Sequence, residues 1–297
     1  MAPERVPHAG FLNRISSPAG ALCGNAHARR GAKREAYLRY TLPMSFYPLR
    51  YLPSGHIFID TRDDCDRVVD TMLATGYSEE FCLARDFDEG FAGRLMEAGF
   101  LVMSTEIRDY EEHEHTQPPP ARFFVLLPKL HLVRSVLFFH ELRIKKSVRR
   151  FLPLYELRVN TNFERILDKC VEIHGTDWLT PPLVEILKTL RRNTGSPRQI
   201  TRAAPVSFAV YRDGELKAGE IGVVMGRVYS SYSGYHEEDN AGTVQMILMV
   251  QWLKEAGFDF LDMGMPLDYK TALGARDVSP GKFVELFRAA RVGPTLT

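Results

Sequence analysis

Residues 205–275 read PVSFAVYRDGELKAGEIGVVMGRVYSSYSGYHEEDNAGTVQMILMVQWLKEAGFDFLDMGMPLDYKTALGA. Residues 206–211 form a strand-like run, closed by Asp213-Gly214, a dipeptide that favours a two-residue hairpin. Residues 215–225 follow, turn at Gly226 and return as 227–235, which gives an antiparallel meander. The acidic loop His236, Glu237, Glu238, Asp239, Asn240 leads into 243–256. There Val244, Met246, Ile247, Met249, Val250 and Leu253 recur at helical spacing, and Gly257 is placed to end the helix. Residues 258–265 read as the next strand, whose alternation sets Phe258, Phe260, Asp262 and Gly264 on one face. A carboxylate in line with two phenylalanines is a poor candidate for free solvation. Asp262 is therefore the first candidate catalytic residue.

The rest of the chain is read outward from this block. With 297 residues there is room for two modest domains or one large one. At 45% apolar and 25% charged residues the composition is that of a soluble globular protein, and the net charge of +1 does not define a partner. No apolar run approaches the ~20 residues of a membrane span. Cys23, Cys65, Cys82 and Cys170 are far apart with no CxxC pair, which reads as a reduced cytoplasmic protein with incidental thiols.

Residues 1–43 carry seven arginines and lysines against Glu4 and Glu35, and read as a basic, structurally dispensable tail. A targeting segment or a misplaced start codon ahead of Met44 would read the same way. Residues 44–140 form a smaller lobe. It has a strand at 56–59, a helix at 65–74 capped near Asp64 and ended by Gly76, a second helix at 88–98, and strands at 100–105 and 123–127. The loop 109–120 holds His113 and His115 among acidic residues and prolines. Two histidines at that spacing make a weak metal site, and no metal is expected.

Lys129, His131 and Arg134 open a basic zone that strengthens at Arg143, Lys145, Lys146, Arg149 and Arg150. As a helix, 143–151 would gather Lys145, Lys146, Arg149 and Arg150 on one face, with Ile144, Val148 and Phe151 inward. That face is either simply solvated or a phosphate-contacting patch. Residues 162–173 read as a helix, and Pro181-Pro182 opens another. Trp178 lies at their junction, where an indole is more often a core anchor than a ligand platform.

The meander, helix and strand resemble the acetyltransferase-like (GNAT) fold, giving an α+β class with that domain at 141–297 and a smaller α/β lobe before it. Coenzyme A enzymes of that fold seat a pyrophosphate at the helix start. Here Glu237, Glu238 and Asp239 occupy that loop and would repel it, so no cofactor is expected.

From about residue 80 to 290 the chain resembles the leucyl/phenylalanyl-tRNA–protein transferases. The shared text includes RIKKSVRRF at 143–151, Trp178-Leu179-Thr180, DGELKAGEIGV at 213–223, Asn240-Ala241, Phe260 to Asp262, and ALGA at 272–275. Their order and spacing carry the resemblance. It implies transfer of leucine or phenylalanine from aminoacyl-tRNA to the α-amine of a protein or peptide N-terminus beginning with Arg or Lys, in the cytoplasm, marking proteins for degradation. It also implies that Arg143, Lys145, Lys146, Arg149 and Arg150 contact tRNA. Trp178 falls near the 3′-terminal adenosine, Tyr229 replaces a pocket phenylalanine, and Asp262 orients or deprotonates the attacking amine. An activated ester asks for little more than positioning and proton handling.

Some positions depart from that pattern. The pocket glutamate of the family falls at Tyr232 and its glutamine at Gly264, while Glu220 stands where the family is apolar, where it either restores the carboxylate from a neighbouring strand or is simply part of a buried pair. Such a chain fits a divergent branch. Two other readings remain open: a tRNA-dependent ligase acting on a cell-wall peptide or small amine, and a non-catalytic tRNA-binding relative.

Overall fold

The computed structural model describes residues 47–108 and 122–293. The basic tail and the His113/His115 loop lie outside these residues. Among the described residues, no cluster of three or more His, Cys, Asp or Glu is arranged to hold a metal ion, and no helix is long and apolar enough to cross a membrane.

The expected meander is present: β7 (Ala204–Arg212), β8 (Glu215–Met225) and β9 (Val228–His236) pair antiparallel. Asp213 and Gly214 both take positive φ, 52° and 81°, as the tight hairpin requires. Helix α6 (Ala241–Glu255) and strand β10 (Phe260–Asp262) follow, and β10 lies parallel to β9. Strand β5 (Arg134–Leu137) then pairs antiparallel with both β10 and β11 (Arg276–Val278), while β6 (Glu156–Val159) closes the far edge. The sheet order is β11-β5-β10-β9-β8-β7-β6.

Alternation divides this sheet into two buried faces. Val224, Tyr229 and Leu261 point into a core covered by α6, through Val244, Ile247 and Val250. Ile221, Val223, Val228 and Phe260 point to the opposite core. That core is built from α4 (Phe163–His174), α5 (Pro181–Asn193), α8 (Pro280–Arg291) and the N-terminal lobe. The lobe supplies α1 (Cys65–Thr75), α2 (Glu89–Glu97) and the hairpin of β3 (Leu101–Arg108) and β4 (Arg122–Lys129), with the short pair β1 (Arg50–Tyr51) and β2 (Ile57–Phe58). Asp64 caps α1 by accepting from the Asp66 and Arg67 N–H groups. Segment 44–140 also gives β5 to the large sheet, and its apolar residues share one core with those after 160.

Two sequence expectations change. The basic stretch 143–151 is helical only as α3 (Lys146–Arg149) and then tightens into a 3₁₀ turn at Leu152–Leu154, where Pro153 cannot continue an α-helix. The expected strand at 258–265 narrows to 260–262, and Phe258 packs with Trp252 in the α6 core, not in line with Asp262.

The site is positioned by a divergence of strands. β10 pairs with β9 only as far as Asp262 opposite Ser230, whereas β9 continues to His236 against β8 alone. Residues 231–234, half-buried, thus have no strand partner on the side where β10 has left, and this gap is the candidate cleft. A bulge marks the same level. Gly222 opposes Ser231 and Ile221 opposes Ser233, so Tyr232 is the extra residue. Gly222 admits no side chain, since a Cβ there would lie 2.3 Å from the Ser230 carbonyl oxygen and 2.5 Å from the Tyr229 ring. Gly222→Ala is expected to lower stability by about 1–3 kcal/mol, measured by denaturant unfolding; an unchanged midpoint would show that the β8–β9 contact is looser than described.

Candidate active site

Asp262 ends β10 at the point where the cleft opens, and it is 1% exposed. Its Oδ1 accepts from Arg134 Nε at 2.7 Å and from the Gly264 N–H at 3.0 Å. Its Oδ2 accepts from Arg134 Nη2 at 2.6 Å and from the Ser230 hydroxyl at 2.7 Å. An ionised carboxylate offers about four lone-pair sites, and all four are filled. Burial by itself would raise the pKa of Asp262, but the bidentate guanidinium, with Ser230 and Gly264, outweighs it and holds the carboxyl below its usual range. Asp262 is thus a fixed negative charge with no free lone pair for an incoming proton. A carboxylate so engaged has no site at which to take a proton from an incoming amine.

Arg134 and His131, read from the sequence as part of a basic surface, are buried at 1% and 4% exposure. The Arg134 guanidinium stacks 4.3 Å from the Phe283 ring and donates from Nη1 to His131 Nδ1 at 2.9 Å. Burial first, and then the Arg134 charge, push the His131 pKa far down, so its imidazole is neutral, with the proton on Nε2. Lys129, the third member of that zone, pairs with Glu80 at 3.1 Å.

Glu220 and Tyr229 lie on the other face of the sheet. The Tyr229 hydroxyl donates to Glu220 Oε1 at 3.1 Å, and Gln245 Nε2 donates to Oε2 at 3.2 Å. Burial raises the Glu220 pKa against the pull of Ser231, Gln245 and Tyr229. Tyr229 is fully buried, edge-on to Phe208 at 5.1 Å. The structure therefore groups these two residues with α6, not with Asp262.

Tyr232 and Trp178 return to the Asp262 face, both packed against its core. The Val102 N–H donates to the Tyr232 hydroxyl at 3.2 Å, and the Ser104 N–H donates to the Trp178 carbonyl at 2.9 Å. Two residues apart on β3, these donors set Tyr232 and Trp178 side by side along one strand edge. Gly264 follows Asp262 with φ 71°, and although it is buried, a Cβ built on it would meet no atom within 4 Å. That side is open space.

Sequence reasoning missed Lys270, a buried lysine on α7 (Asp268–Leu273). Its Nζ donates to the Met263 and Met265 carbonyls, the latter at 2.8 Å. Burial brings its pKa down to about 8, against the opposing charges of Asp262 and Glu220. Ser230 was also missed, although strand alternation from Val228 places it on the Asp262 face.

The five cations Arg143, Lys145, Lys146, Arg149 and Arg150 are all exposed, and among the described residues none meets a carboxylate at ion-pair distance. They are joined to the cleft through the backbone. The Arg143 N–H donates to the Leu273 carbonyl at 2.8 Å, one helical turn beyond Lys270. In the acidic loop, Glu238 accepts from the Tyr155 hydroxyl at 2.5 Å and lies 3.6 Å from Arg212, leaving Glu237 and Asp239 exposed.

The sequence pattern of the leucyl/phenylalanyl-tRNA protein transferase family matches residues 136–288, more than half of the chain. The chain belongs to this family. The leucyl/phenylalanyl-tRNA–protein transferase of Pseudomonas putida strain W619 is 32% identical over 158 residues, covering 51% of this chain and 66% of that protein. That of Maridesulfovibrio salexigens is 30% identical over 171 residues, covering 55% and 67%. The match thus spans about two thirds of the length of these curated relatives. The crystal structure of FemX aligns over 92% of this chain and 94% of that one at 10% identity with a TM-score of 0.38, too slight a likeness to define a shared fold.

Breaking the buried pair on one side leaves a charge without a partner. Arg134→Ala is expected to cost about 3–5 kcal/mol, whereas Arg134→Met combined with Asp262→Leu should cost less than that single change. Chemical denaturation of the three proteins checks this; an Arg134→Ala loss under about 1 kcal/mol would contradict the burial described.

Proposed function

We propose that this protein transfers an aminoacyl group, leucyl or phenylalanyl, from tRNA to the α-amine of a protein or peptide whose N-terminus is Arg or Lys. Family membership supports the donor. The observation that carries the reading is the physical link between five exposed cations and the cleft, made by the Arg143–Leu273 hydrogen bond. A phosphate backbone lying along 143–150 displaces its counterions there, and its 3′ end reaches the splay of β9 and β10. The meander, the helix α6 and the parallel strand β10 that leaves β9 fit an acetyltransferase-like arrangement used for a different acyl donor.

In this reading the amine nitrogen attacks the ester carbonyl, the C–N bond forms, and the C–O bond to the ribose breaks. The proton released by the amine ends on the ribose oxygen. The ester is already activated, so positioning supplies most of what is required. Asp262 orients the amine indirectly, by fixing the Ser230 hydroxyl and the turn at Gly264 at the head of the cleft, while Trp178, Tyr232 and Gly264 border the donor. Tyr229 and Glu220 act from beneath, through the packing of β8 and β9. Transfer of this kind takes place in the cytoplasm, where charged tRNA is found, and marks proteins for degradation by their N-terminal residue.

The test is transfer from radiolabelled leucyl- and phenylalanyl-tRNA to peptides beginning with Arg, Lys, Asp, Glu or Met. Transfer to the Arg and Lys peptides is expected. Changing Lys145, Lys146, Arg149 and Arg150 together to Gln should raise the KM for charged tRNA about tenfold or more, ~1.4 kcal/mol or above, and flatten its salt dependence. Transfer to a small amine or a cell-wall peptide instead would replace the acceptor assigned here. Bound tRNA with no transfer to any amine would make the protein a binder and overturn the reading.

A further inference from the structure

The turn 263–265 is held from three sides. The Met263 N–H donates to the Ser135 carbonyl at 2.9 Å, and the Ser135 N–H donates to the Gly264 carbonyl at 2.7 Å. Ser135 therefore faces two residues at once, the two-against-one count of a β-bulge, a device that ends pairing and re-aims the chain. Lys270 closes the third side by donating to the carbonyls of Met263 and Met265, on either side of Gly264.

This leaves one peptide group with a free end. Across a trans peptide the carbonyl and the N–H point in opposite directions. The Gly264 carbonyl points to Ser135 on β5, so the Met265 N–H points away from β5, to the β9 side where the cleft opens. Among the described residues that N–H has no hydrogen-bond partner. It adjoins Gly264, beside which there is no atom within 4 Å of a Cβ position. Met265 is half-buried, so an N–H facing open space there is free to bond water or a ligand.

We propose that the Met265 N–H is the hydrogen-bond donor to the carbonyl oxygen of the aminoacyl ester, and that Lys270 is the positioning residue that aims it. The proposal rests on the aminoacyl-transfer reading of the cleft. When the amine attacks, the carbonyl electron pair moves onto that oxygen, which the N–H stabilises. Collapse restores the carbonyl and expels the ribose oxygen, which takes the proton from the new ammonium. Lys270 does not touch the substrate. Its burial, with a pKa brought down to about 8, leaves it an ammonium or an amine near neutral pH. Either form has the two N–H groups its two carbonyl bonds use, so the turn is held in both.

The experiment replaces residue 265 by the α-hydroxy analogue of methionine in the full chain, so that its peptide N–H becomes an ester oxygen with the side chain unchanged. The Gly264 carbonyl becomes a weaker acceptor for Ser135, so the unfolding midpoint is measured beside kcat to confirm that the turn is intact. The expected result is a fall in kcat of about 100-fold, with the KM for aminoacyl-tRNA within about twofold of the unaltered protein. Lys270→Met should lower kcat in the same way with tRNA binding retained. Because Lys270 acts through the same N–H, the combined variant should fall no further than the larger single loss. An ester variant with undiminished kcat, or losses that multiply, overturns the proposal while transfer by the unaltered protein still stands. Absence of transfer by the unaltered protein overturns the reading of the cleft itself.

Discussion

The bidentate contact between Arg134 and Asp262 is the interaction on which the site depends. It joins the first residue of β5 to the last residue of β10 in a nearly water-free interior. A guanidinium and a carboxylate buried alone would each be strongly destabilising; held fork to fork, with Ser230, the Gly264 N–H, His131 and the Phe283 ring completing their shells, the pair is tolerated. Its position has consequences. β10 ends where its last carboxylate is fully engaged, and the chain then turns under the control of Ser135 and Lys270. The cleft is the gap that this turn leaves beside β9.

The sheet separates two buried polar groups that the sequence places close together. Register pairs Asp262 with Ser230 and Leu261 with Tyr229, so one set faces α8 and the other faces α6. On the first face a fixed ion pair sets the head of the cleft. On the second, Glu220 is bonded to Tyr229 and Gln245 beneath the β8–β9 bulge that puts Tyr232 on the cleft side. Lys270 lies near both carboxylates, whose charges raise its pKa against the effect of burial.

Much of the fold was legible in residues 205–257, because Asp213-Gly214, the helical spacing from Val244 to Leu253 and the stop at Gly257 are local signals. Asp262 was legible as a buried carboxylate from its alternation with Phe260. Its partner was not. Arg134 lies 128 positions away in a stretch that reads as part of a basic surface, and only the pairing of β5 with β10 brings them together. Lys270 was hidden for a similar reason. Within MPLDYKTALG it looks like an ordinary surface lysine on a short helix, and its burial follows from the way the 263–265 turn folds back over it. The basic segment was legible in charge but not in shape, since Pro153 limits it to a single helical turn.

Asp262 is an ionised, fully bonded group with no site at which to accept a proton. A carboxyl-carbon titration of Asp262 in the folded protein tests it most directly. Its folded pKa lies below the ordinary value of 3.8, so the stability it contributes is complete above that pH and is lost only as pH falls through the lower folded value. The Asp262 resonance is expected to keep its ionised position as pH falls past 3.8 for as long as the protein stays folded. A titration of Asp262 between about pH 5 and 8, tracking the rate of aminoacyl transfer, would mark it instead as a general base.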